Sequence, residues 1–311
     1  MNKQQKQVQK QILKNERAIL KELEKTYQQA LDDIMAQITL LQARKDTQNL
    51  QSIIYQVEYQ KALKSQISSI LDQLHNNEFN SISEYLTKCY DEGWIGTLYD
   101  LQNQGIPLIF PIDQEQIVKA IQVNTKLSKN LYDNLGLDIK ELKQTIRTEV
   151  SRGISQASSY EKMAGLIKRA SGNSYANSVR IARTEGHRIT NEATYNAQVK
   201  AKSKGAQIVK VWDATLDSKT RPEHQALDGQ TVDIDKPFSI DGYEAMYPGD
   251  FGEAHLDINC RCTIIQEAKW NMTDEEFTKF NGETNELMRF KNLNDYEEFK
   301  REFWNWSDKQ K

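Results

Sequence analysis

Cysteine is nearly absent from this chain: three in 311 residues, beside four histidines and five prolines. Three thiols exclude the disulfide framework of a small secreted domain. Cys260 and Cys262 stand one residue apart, and such neighbours make poor disulfide partners because the bridge has a demanding geometry. Long apolar runs are missing as well. The strongest, IPLIFPI at 106–112, holds two prolines and falls far short of the roughly 20 residues a helix needs to cross a bilayer. The first twenty residues, MNKQQKQVQKQILKNERAIL, are polar and carry no apolar signal core. These absences predict a soluble protein made in a cytoplasm, with no membrane partner. An excess of one charge is also lacking. Net charge is −3, so overall charge gives no case for nucleic-acid binding.

What is present is helix-forming sequence. Hydrophobic residues make up 38%, below the usual roughly 45–50%, and Lys, Glu, Gln and Asn fill the difference. Apolar residues recur at helical spacing, which predicts long helices facing solvent. Val8, Ile12, Ile19, Leu23, Tyr27, Leu31, Ile34, Ile38 and Leu41 form a heptad-like stripe on a charged rod. That stripe packs within its own domain or docks on a partner subunit.

Glycine and proline punctuate the rest. DEGWIGTLYDLQNQGIPLIFPID, 91–113, reads as loop-rich through Gly93, Gly96, Gly105, Pro107 and Pro111. Gly153 is placed as a helix stop. Ser158 with Glu161, and Thr273 with Glu276, have capping-box spacing. SGNS at 171–174 marks a further break before a long helix that ends at Gly205. After Gly205 the period changes. AQIVKVWDAT has the β-branched and aromatic content of a strand. SKTRPEHQALDG is a short helix with Ser or Thr at its cap, and QTVDIDKPF is a strand and turn. DGYEAMYPGDFGEAH is a loop, and CRCTIIQEAK returns to strand. In the tail, Phe299, Phe303 and Trp306 lie three or four apart on an amphipathic helix. The expected fold class is α+β: a long, mainly helical N-terminal region, a small mixed module and a short helical tail. The expected divisions are a helical arm at 1–100, a helical region with basic bias at 101–175, the α+β module at 176–268 and an aromatic-rich tail at 269–311.

Charge is segregated along the chain. Residues 126–204 hold fifteen Lys and Arg against seven Asp and Glu, whereas residues 205–260 hold four against eleven. Either one part folds against the other, or the basic helices face a phosphate backbone. Contact with DNA would fall to Lys143, Arg147, Arg152, Lys168, Arg169 and Arg180. Without a DNA-reading motif, such binding would be to duplex DNA of any sequence.

Four residues have the chemistry of metal ligands: His224, His255, Cys260 and Cys262. Zinc takes four nitrogen or sulfur ligands tetrahedrally and would clip the loop-rich segment between them. Two readings stand side by side, because a Cys-x-Cys in a strand also places two small apolar side chains on one face. RIARTEGHR places Arg183 and His187 one turn apart, and Glu185 within reach of Arg188. An enzyme would use Glu185 as a base and Arg183 to hold an anion. The structural reading has both residues bonding to the mixed domain that follows, for example at the carboxylates of VWDATLDSKTR. Arg221, the strong cation between Lys219 and Lys236, is expected to meet one of the neighbouring acids.

These pieces form an ordered set: an RTE on a helix, a K-x-W-x-A-T strand, a T-R-x-x-H helix, an L-D-G-Q turn and a closing N-C-R-C. The set spans about 85 residues and resembles the Mu F-like domain of phage minor head proteins, also called head morphogenesis proteins. The lead-in reaches back to about 145. Motif positions are Arg183, Glu185, Trp212, Arg221, His224, Asp228, Gly229, Asn259, Cys260, Arg261 and Cys262. Relatives set a His-Pro-Asn directly before the first Cys, whereas HLDIN here moves His255 away. The resemblance implies a non-enzymatic protein of the capsid interior near the portal. It implies binding to the portal protein during procapsid assembly in the host cytoplasm, with the major capsid or scaffolding protein as further partners. It also implies contact with packaged DNA, modulation of its ejection and no cofactor unless zinc. The rival reading is a zinc-dependent hydrolase, or a toxin-related enzyme. Modules of this kind are fused to ADP-ribosyltransferases, and the 43 or so residues after 268 are expected to be too few for one.

Overall fold

The computed structural model describes residues 1–45, 53–122, 131–155, 160–215, 217–269, 278–281, 287–289 and 296–307. The two capping-box serine and threonine positions, Ser158 and Thr273, lie outside them. Two compact units emerge. Helices α1 (Lys3–Lys45), α2 (Ile53–Asn103) and α5 (Tyr160–Ser203) contribute residues to both.

One unit comprises residues 18–83 and 129–182 and is helical. Its core is drawn from α1, α2, α4 (Leu131–Ser155) and α5. Tyr27, Ile34 and Ile38 meet Leu63, Ile67, Leu71 and Leu74, with Ile139, Leu142, Ile146, Met163 and Ile167. The steps of three, four and seven are the heptad-like stripe at work: they keep one face of each helix apolar. A polar knot sits inside this core. The Tyr27 hydroxyl lies 2.8 Å from Ser178 Oγ and 3.1 Å from Ser174 Oγ, and donates to Glu78 Oε1 at 3.1 Å. Ser178 also donates to Glu78, and Ser174 to Asp138. Burial pushes the Glu78 carboxyl up to about 7, and among the described residues its second oxygen has no hydrogen-bond partner.

The other unit comprises residues 1–17, 84–128 and 183–311. It holds α3 (Gln114–Gln122), α6 (Pro222–Leu227), α7 (Ala254–Asp257), α8 (Tyr296–Ser307) and all the strands. Strand β2 (Ile208–Asp213) is central, with β3 (Thr231–Asp233) and β6 (Thr263–Ala268) antiparallel on either side. β4 (Phe238–Ile240) and β5 (Tyr243–Ala245) form a hairpin. Its two turn residues, Asp241 and Gly242, have φ of 48° and 83°, the left-handed pair that a two-residue hairpin demands. β1 (Leu108–Ile109) pairs parallel with β7 (Thr278–Asn281), which pairs antiparallel with β8 (Leu287–Arg289). Phe299, Phe303 and Trp306 of α8 are buried, and Phe299 and Tyr296 pack on Tyr99.

Three expected breaks do not occur. α2 runs through Gly93 and Gly96, α4 continues past Gly153, and α5 passes through 171–174. At Gly93 the reason is a close helix approach. A Cβ there would lie 2.3 Å from Thr190 O and 2.9 Å from Ala193 Cβ, so this glycine brings α2 against α5. Gly96 likewise makes room for Val8. The chain leaves α2 only at Gly105, whose φ of 81° no side chain favours. The α6 cap also departs from expectation. Its N-cap is Arg221 without a side-chain bond, while Thr220 bonds back to Thr215 O.

Candidate functional site

The motif residues of the mixed unit surround the junction of α6 with the turn that enters β6. Asp228 follows α6 and accepts from Ala214 N at 2.8 Å. Gly229, with φ of 77°, donates to Trp212 O at 2.9 Å. Trp212 is fully buried between Phe238, Phe251 and His224. Arg221 donates to the carbonyls of Leu256 and Ile258. It thereby meets backbone oxygens, and not the neighbouring acids its sequence context suggested.

The turn before β6 is set by Asn259. Its φ is 56°, and its N–H donates to Thr184 Oγ1 at 3.1 Å. Arg261 then points outward to make a two-bond pair with Asp217, at 2.6 and 2.7 Å. Those bonds hold the Asp217 carboxyl below its usual range. Cys260 and Cys262 point inward, before the strand begins and not within it. From α5, Asn191 clamps the same turn. It donates to Cys262 O at 3.1 Å and accepts from Ile264 N at 3.0 Å. Gln198 donates to Gln266 at 3.0 Å. Neither Asn191 nor Gln198 stood out in the sequence. Their spacing of seven on one face of α5 was the available signal.

His224, Cys260 and Cys262 converge. Nδ1 of His224 lies 3.6 Å from Cys260 Sγ and 3.3 Å from Cys262 Sγ. All three residues are 4% exposed or less. The hydrogen bond from Cys260, together with His224, pulls the Cys262 thiol below its usual range, and the same bond, with burial, pushes Cys260 up. Among the described residues, Nε2 of His224 is buried without a hydrogen-bond partner. His255 does not join the set. It is exposed on α7, with its ring 5.5 Å from that of Tyr243. The four-ligand reading is corrected to three, because α7 carries residue 255 on its solvent side while the next turn carries Cys260 inward.

The RTE helix is held by ion pairs within its unit. Arg183 donates to Glu16 at 2.9 Å, and His187 lies 3.6 Å from the same carboxylate. Those contacts, His187 first, lower the Glu16 carboxyl. Glu185 accepts from Arg188 at 2.8 Å, and Arg188 also reaches Glu192 and Ala120 O, at 2.6 and 2.7 Å. Arg183 and Glu185 therefore do not bond to acids of the strand region, as the structural reading expected. Glu16, remote in sequence, supplies the carboxylate for Arg183.

Lys143, Arg147, Arg152, Lys168, Arg169 and Arg180 all belong to the helical unit, on α4 and α5. Lys168, Arg169 and Arg180 are exposed. Lys143 pairs with Asp72, Arg147 donates to Ser68 Oγ at 3.2 Å, and Arg152 pairs with Glu149 at 2.9 Å. Among the described residues, no helix is long and apolar enough to cross a membrane.

Residues 144–265 match the family described as Phage Mu protein F like protein. The chain is 26% identical over 249 residues to Minor head protein GP7 of Bacillus phage SPP1, covering 79% of this chain and 80% of that protein. It is 32% identical over 305 residues to an Enterococcus faecalis protein named NAD(+)--arginine ADP-ribosyltransferase EFV, covering 95% of this chain. The chain spans 60% of the length of that enterococcal relative. No solved structure matches it.

Proposed function

We propose that this chain is a minor head protein of the phage Mu F-like kind, an interaction protein inside the procapsid that binds the portal and contacts packaged DNA. The observation that carries this reading is the match to a minor head protein along 79% of the chain. The architecture supports it. Motif residues bond within the module: Arg183 and Glu185 in ion pairs, Arg221 to carbonyls, Asn259 in a turn. The exposed cations of α5 offer the DNA contact, and such contact weakens steeply with salt because phosphate neutralisation releases counterions.

Co-expression with the portal protein of the same phage, followed by mass measurement of the purified complex, tests the assembly role. A complex of defined stoichiometry is expected. A chain that stays alone with portal rings in excess removes the reading. The enterococcal relative's name supports a second reading, an NAD-dependent transferase. We assign that activity to the part of the relative that this chain does not span. Incubation of this chain with NAD and an arginine-rich acceptor is therefore expected to give no transfer, and transfer would move the reading to an enzyme.

A further inference from the structure

We propose that His224, Cys260 and Cys262 form a zinc-binding site that staples α6 to the turn entering β6. The ligand atoms come from two segments 36 residues apart and lie within 4.8 Å of one another. Zinc bonds of about 2.0–2.1 Å to imidazole nitrogen and about 2.3 Å to thiolate, at tetrahedral angles, separate nitrogen from sulfur by about 3.5 Å. The two separations here are 3.6 and 3.3 Å. The spacing is that of two edges of such a tetrahedron.

Packing of small apolar thiols does not account for the imidazole. His224 is 2% exposed, and its Nδ1 faces both sulfurs. That nitrogen has one lone pair or one proton to offer two sulfurs, and the remaining bond falls between the two thiols. A single divalent cation between the three atoms satisfies them all. Two thiolates and one zinc ion sum to zero charge, so the set stays buried without an unpaired ion. Around the site, Arg221 and Asn259 fix the turn, Arg261 is drawn outward to Asp217, and Asn191 anchors the Cys262 carbonyl. Each bond turns the two sulfurs toward His224. Such outer contacts orient metal ligands. The helix that is stapled is short: α6 has six residues. A helix of that length does not hold itself, and a metal clip to the turn of Cys260 and Cys262 fixes it. A buried three-residue set leaves one position for a small ligand such as water.

The test uses the full chain, purified under reducing conditions and analysed for metal by mass spectrometry. About one zinc per chain is expected, lost in Cys262→Ser and in His224→Ala and kept in His255→Ala. Should the first two variants fail to fold, cobalt exchanged into the wild-type chain reads the same site. It is expected to show thiolate-to-cobalt charge transfer and the visible bands of a tetrahedral ion. A wild-type chain that holds no zinc and gives no such spectrum with cobalt overturns the proposal. Metal that persists in folded Cys262→Ser, or vanishes in folded His255→Ala, overturns the ligand set. None of these readouts depends on portal binding.

Discussion

Two glycines in long helices show how much a single residue decides. Gly93 and Gly172 both lie within helices, and helix propensity treats them alike. Gly172 is exposed and has nothing within 4 Å of a built Cβ, whereas Gly93 faces a backbone carbonyl at 2.3 Å. Gly172→Ala is therefore expected to raise stability by about 0.5–1 kcal/mol. Gly93→Ala is expected to lower it by about 1–3 kcal/mol or more, since the helices must part. Urea titration of both variants measures the contrast. Asn191 is the other decisive residue. Asn191→Ala leaves the Cys262 carbonyl and the Ile264 N–H unpaired in the interior, and about 2–4 kcal/mol of destabilisation is expected. An unchanged denaturation midpoint would mean that the turn before β6 does not depend on the clamp.

The helical unit carries its polar knot where four helices meet, and that knot makes its stability depend on pH. Glu78 titrates near 7 when folded, above the ordinary carboxylate range, because burial disfavours its charge. The folded state thus binds a proton that the unfolded chain has released. Stability is fully present below the unfolded pKa, near 4.5, and falls as pH rises through about 7. Glu78→Gln removes the charge and keeps an acceptor for Tyr27 and Ser178. It is expected to gain about 1–3 kcal/mol over the wild-type chain at pH 8, with the gain vanishing near pH 4.5. Thermal melts of both chains across that range measure it. A variant that loses stability at pH 8 would show that the ionised carboxylate is needed in the knot.

For the whole molecule, the segregated charge is the feature that reaches outward. Three of the six proposed DNA-contact cations, Lys143, Arg147 and Arg152, also bond within the helical unit. The exposed Lys168, Arg169 and Arg180 are therefore expected to carry most of the binding. Replacing these three with Glu is expected to abolish retardation of duplex DNA at low salt, while Lys143→Glu alone weakens it less. Gel retardation at two salt concentrations distinguishes the cases, and undiminished binding by the triple variant would remove DNA from the partners.

Sequence by itself determined the long helices, the apolar stripe from Ile12 to Ile38, the buried aromatic face of α8 and the strands β2, β3 and β6; β5, β7 and β8 were not legible, since 241–255 reads as loop and the tail as helix. The legible features are periodic, local properties, and each residue's fate follows from neighbours within two turns. The Glu185–Arg188 pair was legible for the same reason. The Asp-Gly turn of the β4–β5 hairpin was equally local, although its surrounding glycines and acids disguise it as loop. Tertiary structure alone decided that Gly93 and Gly96 stay helical, since only a crossing helix explains a missing side chain there. It decided that Arg183 reaches Glu16, that Asn191 holds the turn of Cys262, and that His224 joins the two cysteines while His255, nearer to them in sequence, faces solvent. Distance along the chain says little about distance in space, and the packing of α5 on the sheet sets which side chains meet.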